Sequence, residues 1–290
     1  MKSSYSDKDF TLECLPINRR QQFAFVFKNN WKRFLLLGFI LLLFSLPLII
    51  SLLIKDLRAG ELVKSNQLDL LFTNEMFFAI FIIPSYVILF IGLSGLFRIL
   101  RNFVWSEGIL FRQDYLIGIK QNWLFFSLFG LVFVGSYYLF YFLSVYINVN
   151  YVRYLPFAVF VLLIAPITLI ELSMVSIYKN TILKYVLNAT KIYIKNLLPI
   201  LISEVAILSV PTVLIVVPLA LIIKYVILVI FIFALLPIMS FAFQLLLVHI
   251  FDKMINAQNH QDIYHKGLFK KEWKNVQLLQ LLRTPKIAII

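Results

Sequence analysis

The stretch "FVFKNNWKRFLLLGFI", residues 25–40, decides the fold. It opens basic and aromatic and becomes hydrocarbon within a few residues. From position 34 to position 54 the chain carries no charge for 21 residues. A helix rises about 1.5 Å per residue, so about 20 apolar residues cross the hydrocarbon core of a bilayer. Five further runs follow, at 77–97, 124–147, 155–177, 197–223 and 225–248. Glu171 and Glu204 are the charges inside them, and Lys224 alone separates the last two. Composition agrees. Hydrophobic residues make up 61% and charged residues 14%, against about 45–50% and about 25% in globular chains. A water-soluble fold has no interior large enough for that much apolar surface. The predicted class is an all-α membrane protein with six transmembrane helices.

The opening motif returns at 117–132 as "IGIKQNWLFFSLFGLV" and, more loosely, at 192–207 as "IYIKNLLPILISEVAI". Aligning Lys28, Lys120 and Lys195 places Trp31 on Trp123 and Leu198, and Gly38 on Gly130 and Val205. An amphipathic stretch precedes each Lys. The third is the clearest, with Ile182, Val186, Tyr193 and Ile194 near one helical face and Lys184, Asn188, Lys191 and Lys195 on the other. The second runs from Ser106, read as an N-cap, to Asn122. The first runs from Pro16, suited to a first helical turn, to Asn30. This pattern predicts three hairpins, in units of about 16–98, 106–178 and 180–250. Each would be an interfacial helix, a span out and a span back. The Lys-Asn/Gln-Asn corner turns the chain into the membrane. Lys28, Trp31, Lys120, Trp123 and Lys195 would anchor it at the interface. The plainer alternative is that membrane entries often carry Lys and Trp.

Charge sets the predicted orientation. Of 27 Lys and Arg, the N-terminus, the loops 98–123 and 178–196, and the tail hold 22; the alternating segments hold 5. Cytoplasmic loops keep the basic excess, so both termini should be inside. Residues 1–33 read as a cytoplasmic N-terminus with an interfacial helix, 34–248 as the membrane domain, and 249–290 as a basic cytoplasmic tail. The expected partner is a bilayer with an anionic inner leaflet, and a cytoplasmic or transporter-subunit partner is a further possibility. Nucleic acid is not expected, because the charge is spread over every inner loop. Residues 1–33 lack the pattern of a secretory signal. Cys14 is the single cysteine, which leaves no disulfide framework or thiolate metal site.

Glu171 and Glu204 lie on successive spans, roughly 10 Å in from the cytoplasmic side. Intramembrane acids are functional candidates by default. They read either as a proton, cation or polar-substrate site, or as neutral groups hydrogen-bonded to a neighbouring helix. Tyr137 and Tyr141, on one face of the third span, read either as part of an aromatic belt or as a sugar or lipid-head contact. No P-loop, H-E-x-x-H or GxSxG motif is present, so neither enzyme nor cofactor is expected.

The loop "RILRNFVWSEGILFRQDYLIGIKQNW" at 98–123, two spans, and then "LKYVLNATKIYIKNLLP" at 183–199 together resemble the YesL-type family of small bacterial membrane proteins. Arg98, Arg101, Asp114, Gly118, Lys120, Asn122, Asn188, Ala189, Lys195 and Asn196 carry the resemblance. It implies a multi-pass protein of the bacterial plasma membrane, linked with carbohydrate uptake and without established catalytic residues. The expectation is a non-enzymatic, transport-associated protein. The alternatives are a permease subunit of an ATP-driven exporter, and a membrane enzyme acting on lipid or isoprenoid through Glu171 and Glu204.

Overall fold

The computed structural model describes residues 15–147, 152–217 and 219–269. Cys14, Tyr151, Pro218 and the tail from 270 lie outside the described residues. Seven helices account for most of what is described: α1 (Arg19–Lys64), α2 (Leu70–Val104), α3 (Phe111–Tyr146), α4 (Leu155–Ile177), α5 (Ile182–Lys195), α6 (Leu197–Val216) and α7 (Leu221–Asn259). All but α5 are long and apolar enough to cross a membrane.

The six long helices form two shells. α2, α4 and α7 all touch one another. Outside them, α1 lies against α2 and α7, α3 against α2 and α4, and α6 against α4 and α7. Each outer helix therefore bridges the inner helix that follows it in sequence and the one that precedes it around the ring. Burial follows the same division. Of their most apolar stretches, 44%, 56% and 33% is buried in the inner helices, against 28%, 28% and 22% in the outer ones. A spacing that the sequence reading overlooked marks the inner helices. "FAIFIIP" at 78–84, "FVLLIAP" at 160–166 and "FIFALLP" at 231–237 each place a Pro six residues after a Phe. Phe78, Phe160 and Phe231 are all buried.

Proline withholds the N–H that an α-helix gives to the carbonyl four residues back. α4 and α7 absorb this with π-helical turns at Phe160–Ile164 and Phe231–Leu235. The Leu162 carbonyl ahead of Pro166 accepts the Tyr193 hydroxyl of α5. The Phe233 carbonyl ahead of Pro237 lies against Gly38 of α1, where a Cβ would come within 1.6 Å of the oxygen.

Two of the three expected corners are bends. Asn30 leaves helical geometry inside α1 (φ −127°, ψ 17°) and Asn196 does so between α5 and α6 (φ −132°, ψ 40°). In each, the side-chain amide donates to the carbonyl four residues earlier, Val26 or Ile192. The corner expected at 120–122 is absent, because α3 runs through it as one helix. Among the described residues, no side chain of Lys120, Gln121 or Asn122 donates to a helix carbonyl, and Gln121 accepts from Arg98 instead.

Ser106 is not an N-cap. It sits at φ +53°, just past the end of α2, where Ser106 and Glu107 N–H groups close back onto Phe103 and Asn102. This is a Schellman ending. α3 begins at Phe111, capped by the Asp114 carboxylate, which accepts the Leu110 N–H. Pro16 also precedes its helix, since Asn18 caps α1 by accepting the Gln21 N–H.

α5 presents three faces. Tyr185, Ala189, Ile192 and Tyr193 are buried against the bundle. Lys184, Asn188, Lys191 and Lys195 occupy the second. Leu183, Leu187 and Ile194 form an exposed apolar third. The predicted apolar face is thus divided, with Tyr193 turned inward and Ile182, Val186 and Ile194 outward.

Candidate functional site

Polar side chains line the interface of the three inner helices and widen toward one end of the bundle. At the inner level the Ser173 hydroxyl of α4 donates to Gln244 Oε1 of α7 at 2.6 Å, and Gln244 Nε2 reaches Ser176 Oγ at 3.4 Å. Aligned on their Phe and Pro, Ser173 and Gln244 are equivalent positions of two inner helices. Below them Arg101 of α2 donates to the Ser176 carbonyl at 3.3 Å and to Asn102 Oδ1 at 2.9 Å.

At the end of the bundle lies a buried ion pair. Arg19 Nη2 donates to Asp252 Oδ2 at 2.9 Å, with both side chains nearly excluded from solvent. The other Asp252 oxygen accepts Asn256 Nδ2 at 2.9 Å, and Asn256 in turn accepts the Tyr178 hydroxyl at 2.6 Å. Burial pushes the Tyr178 phenol above its ordinary range, and Asp252 adds to that shift. Arg19 also donates to Gln22 and to the Lys266 carbonyl. The segment after α7 therefore folds back onto the bundle. There Lys266 meets Glu107 at 2.6 Å, and Arg101 and Lys266 lie 4.5 and 4.4 Å from the Trp105 ring. Gly267 (φ +84°) leaves no room for a Cβ, which would stand 2.1 Å from the Val104 carbonyl oxygen. Gly267→Ala is expected to displace this segment by a steric clash and a strained φ. The Trp105 environment, read by fluorescence against a Trp105→Phe control, checks it.

The opposite end has its own cluster. Asp56 of α1 accepts Lys224 Nζ at 2.6 Å and the Tyr225 hydroxyl at 3.1 Å, while Lys55 pairs with Glu75 of α2 at 2.9 Å.

The sequence-predicted residues separate into three places. Glu171 and Glu204 are both buried, on neighbouring helices α4 and α6, but no hydrogen bond joins them among the described residues. Glu204 is fully buried, and among the described residues neither of its oxygens has a hydrogen-bond partner. Tyr137 and Tyr141 pack instead with Phe157 and Phe160, in an aromatic cluster apart from the acids. Lys28, Lys120 and Lys195 are exposed, and Trp31 and Trp123 are each 49% exposed. Sequence reasoning missed Arg19, Asp252, Gln244 and Asn256, and named Arg101 only for the resemblance it carries. The spacing of Arg19 from Gln22, and of Asp252 from Asn256, is the i,i+3 and i,i+4 signal that was there to find.

No protein-family model, curated protein or solved structure matches the chain.

Proposed function

We propose that this is a six-span protein of the bacterial plasma membrane, with both termini inside, built from three repeated units and acting beside a transport system. The inner–outer arrangement supports the repeat, because each unit contributes one helix to each shell in cyclic order. The observation that carries the orientation is the segregation of charge. Arg19, Arg101, Asp252 and Lys266 meet at the end that holds both termini of the described chain, while Lys55, Asp56, Glu75 and Lys224 meet at the other. The first end carries the basic excess expected of a cytoplasmic face. Its exposed lysines on α5, beside an apolar flank, suit the headgroup layer of an anionic leaflet. Kinship with the YesL-type family belongs to the same proposal. Gly118 packs on Arg98 and Gly95, and Ala189 is fully buried, so these residues of the resemblance suit a helix-packing role.

Labelling with a membrane-impermeant maleimide tests the orientation. In intact cells Cys14 is expected to stay unlabelled until the membrane is opened, while a Cys14→Ser, Gln67→Cys variant labels at once. Reversed labelling would overturn the topology. Mild solubilisation and co-purification test the partner. A solute-uptake component is the expected companion, and recovery of the chain alone or with an ATPase subunit would count against the assignment.

A further inference from the structure

The three outer helices are not equivalent. Ten residues after the aligned Lys, α1 and α3 each carry a glycine that lets the helix touch the inner helix preceding it around the ring. Gly38 meets the Phe233 carbonyl and Gly130 meets the Phe90 ring. In α6 the aligned residue is Val205, which points outward at 59% exposure. The residue beside it, Glu204, points inward and is fully buried. The buried seam of α6 runs Ile200, Glu204, Ile207 and Leu214, with Pro211 half-buried between the last two. That is the four-three spacing of a helix packed by one stripe. A carboxyl thus occupies the centre of an otherwise apolar seam, on the least buried span of the six.

An ionised carboxylate with no partner in such a seam is unfavourable by several kcal/mol. Among the described residues no basic group is seen to neutralise it. On α4 the titratable group is Glu171, also an acid. On α5 the Tyr193 hydroxyl is committed to the Leu162 carbonyl and the Tyr185 hydroxyl to the Tyr178 carbonyl, and Lys184, Lys191 and Lys195 are exposed. On α7, Lys224 and Tyr225 are held by Asp56 and Asp252 is paired with Arg19, while His249 and Lys253 are exposed.

We propose that Glu204 is a proton-binding site on the buried face of α6. The neutral acid suits the apolar seam, and loss of the proton leaves a bare charge there that is unfavourable without water or a partner. This deepens the six-span reading by naming a ligand. It needs no transport partner, and the maleimide experiment can succeed or fail independently of it.

The test uses the full-length protein in native membranes and a fluorescent hydrophobic carbodiimide, which adds to protonated carboxyls in apolar surroundings. Wild type is expected to label, with the adduct located by mass spectrometry on the peptide that contains Glu204. Labelling should fall about tenfold per pH unit once the acid ionises. It should be lost in Glu204→Gln, kept in Glu171→Gln, and indifferent to sodium at fixed pH. Absence of labelling, an adduct confined to Glu171, or persistence in Glu204→Gln would overturn the site. Protection by sodium would overturn the proton as its ligand. Should Glu204→Gln fail to fold, the location of the adduct in wild type decides.

Discussion

Asp252→Ala is expected to lower the unfolding free energy by about 3–5 kcal/mol, the cost of leaving a buried partner charge uncompensated. Asp252 is almost wholly excluded from solvent and accepts from Arg19 and Asn256, so its removal strands Arg19 at the base of the bundle. Arg19 holds a lowered pKa because burial disfavours its charge more than Asp252 restores it. Its environment is already costly. Arg19→Met should be damaging for the mirror reason, while the pair Arg19→Met with Asp252→Leu should recover part of the loss, since both charges leave together. Recovery should be incomplete, because Arg19 also holds the Lys266 carbonyl and Asp252 also holds Asn256. Thermal unfolding in detergent with a double-mutant cycle gives the coupling directly. Additive single losses would mean that the pair is not a unit.

The difference between what the sequence revealed and what it hid follows from the range of each interaction. The spans were legible because a bilayer demands about 20 apolar residues in one run, a purely local requirement. The corner at Asn30 was legible for a similar reason, since an amide that folds back four residues needs no distant partner. Lys120 to Asn122 carried the same letters, yet α3 passes straight through them. There the α2–α3 packing, with Gly118 against Arg98 and Gly95, governs the path of the chain. The two Glu residues were singled out because a charge in an apolar run is conspicuous. What surrounds them was not legible, because α4, α6 and α7 meet only in three dimensions. The Arg19–Asp252 pair spans 233 residues of chain and leaves no periodic trace. The Phe and Pro spacing of the inner helices was present in the letters. It became readable once those three helices were known to share one position in the bundle.

Gly38→Ala and Gly60→Ala, both inside α1, should move stability in opposite directions. At Gly60 nothing lies within 4 Å of a new Cβ, so alanine gains helix propensity of about 0.5–1 kcal/mol. At Gly38 the new methyl would stand 1.6 Å from the Phe233 oxygen and 2.6 Å from its carbonyl carbon. These are backbone atoms in the π-helical turn before Pro237, and they cannot rotate aside as a side chain does. Overpacking of this kind costs about 1–3 kcal/mol and more where the backbone must shift. Close approach of helix backbones through a small residue is also how membrane helices gain much of their packing. Gly130 provides an internal comparison. Its neighbour is the Phe90 side chain, whose Cγ and Cβ would lie 2.6 and 2.9 Å from the new methyl, and a side chain can give by a change of χ1 where a backbone carbonyl cannot. Gly130→Ala should therefore fall between the other two in unfolding temperature. The order Gly60→Ala above wild type, then Gly130→Ala, then Gly38→Ala follows from which atoms yield, and a reversed order of the last two would mean that the α1–α7 contact is softer than the α2–α3 contact.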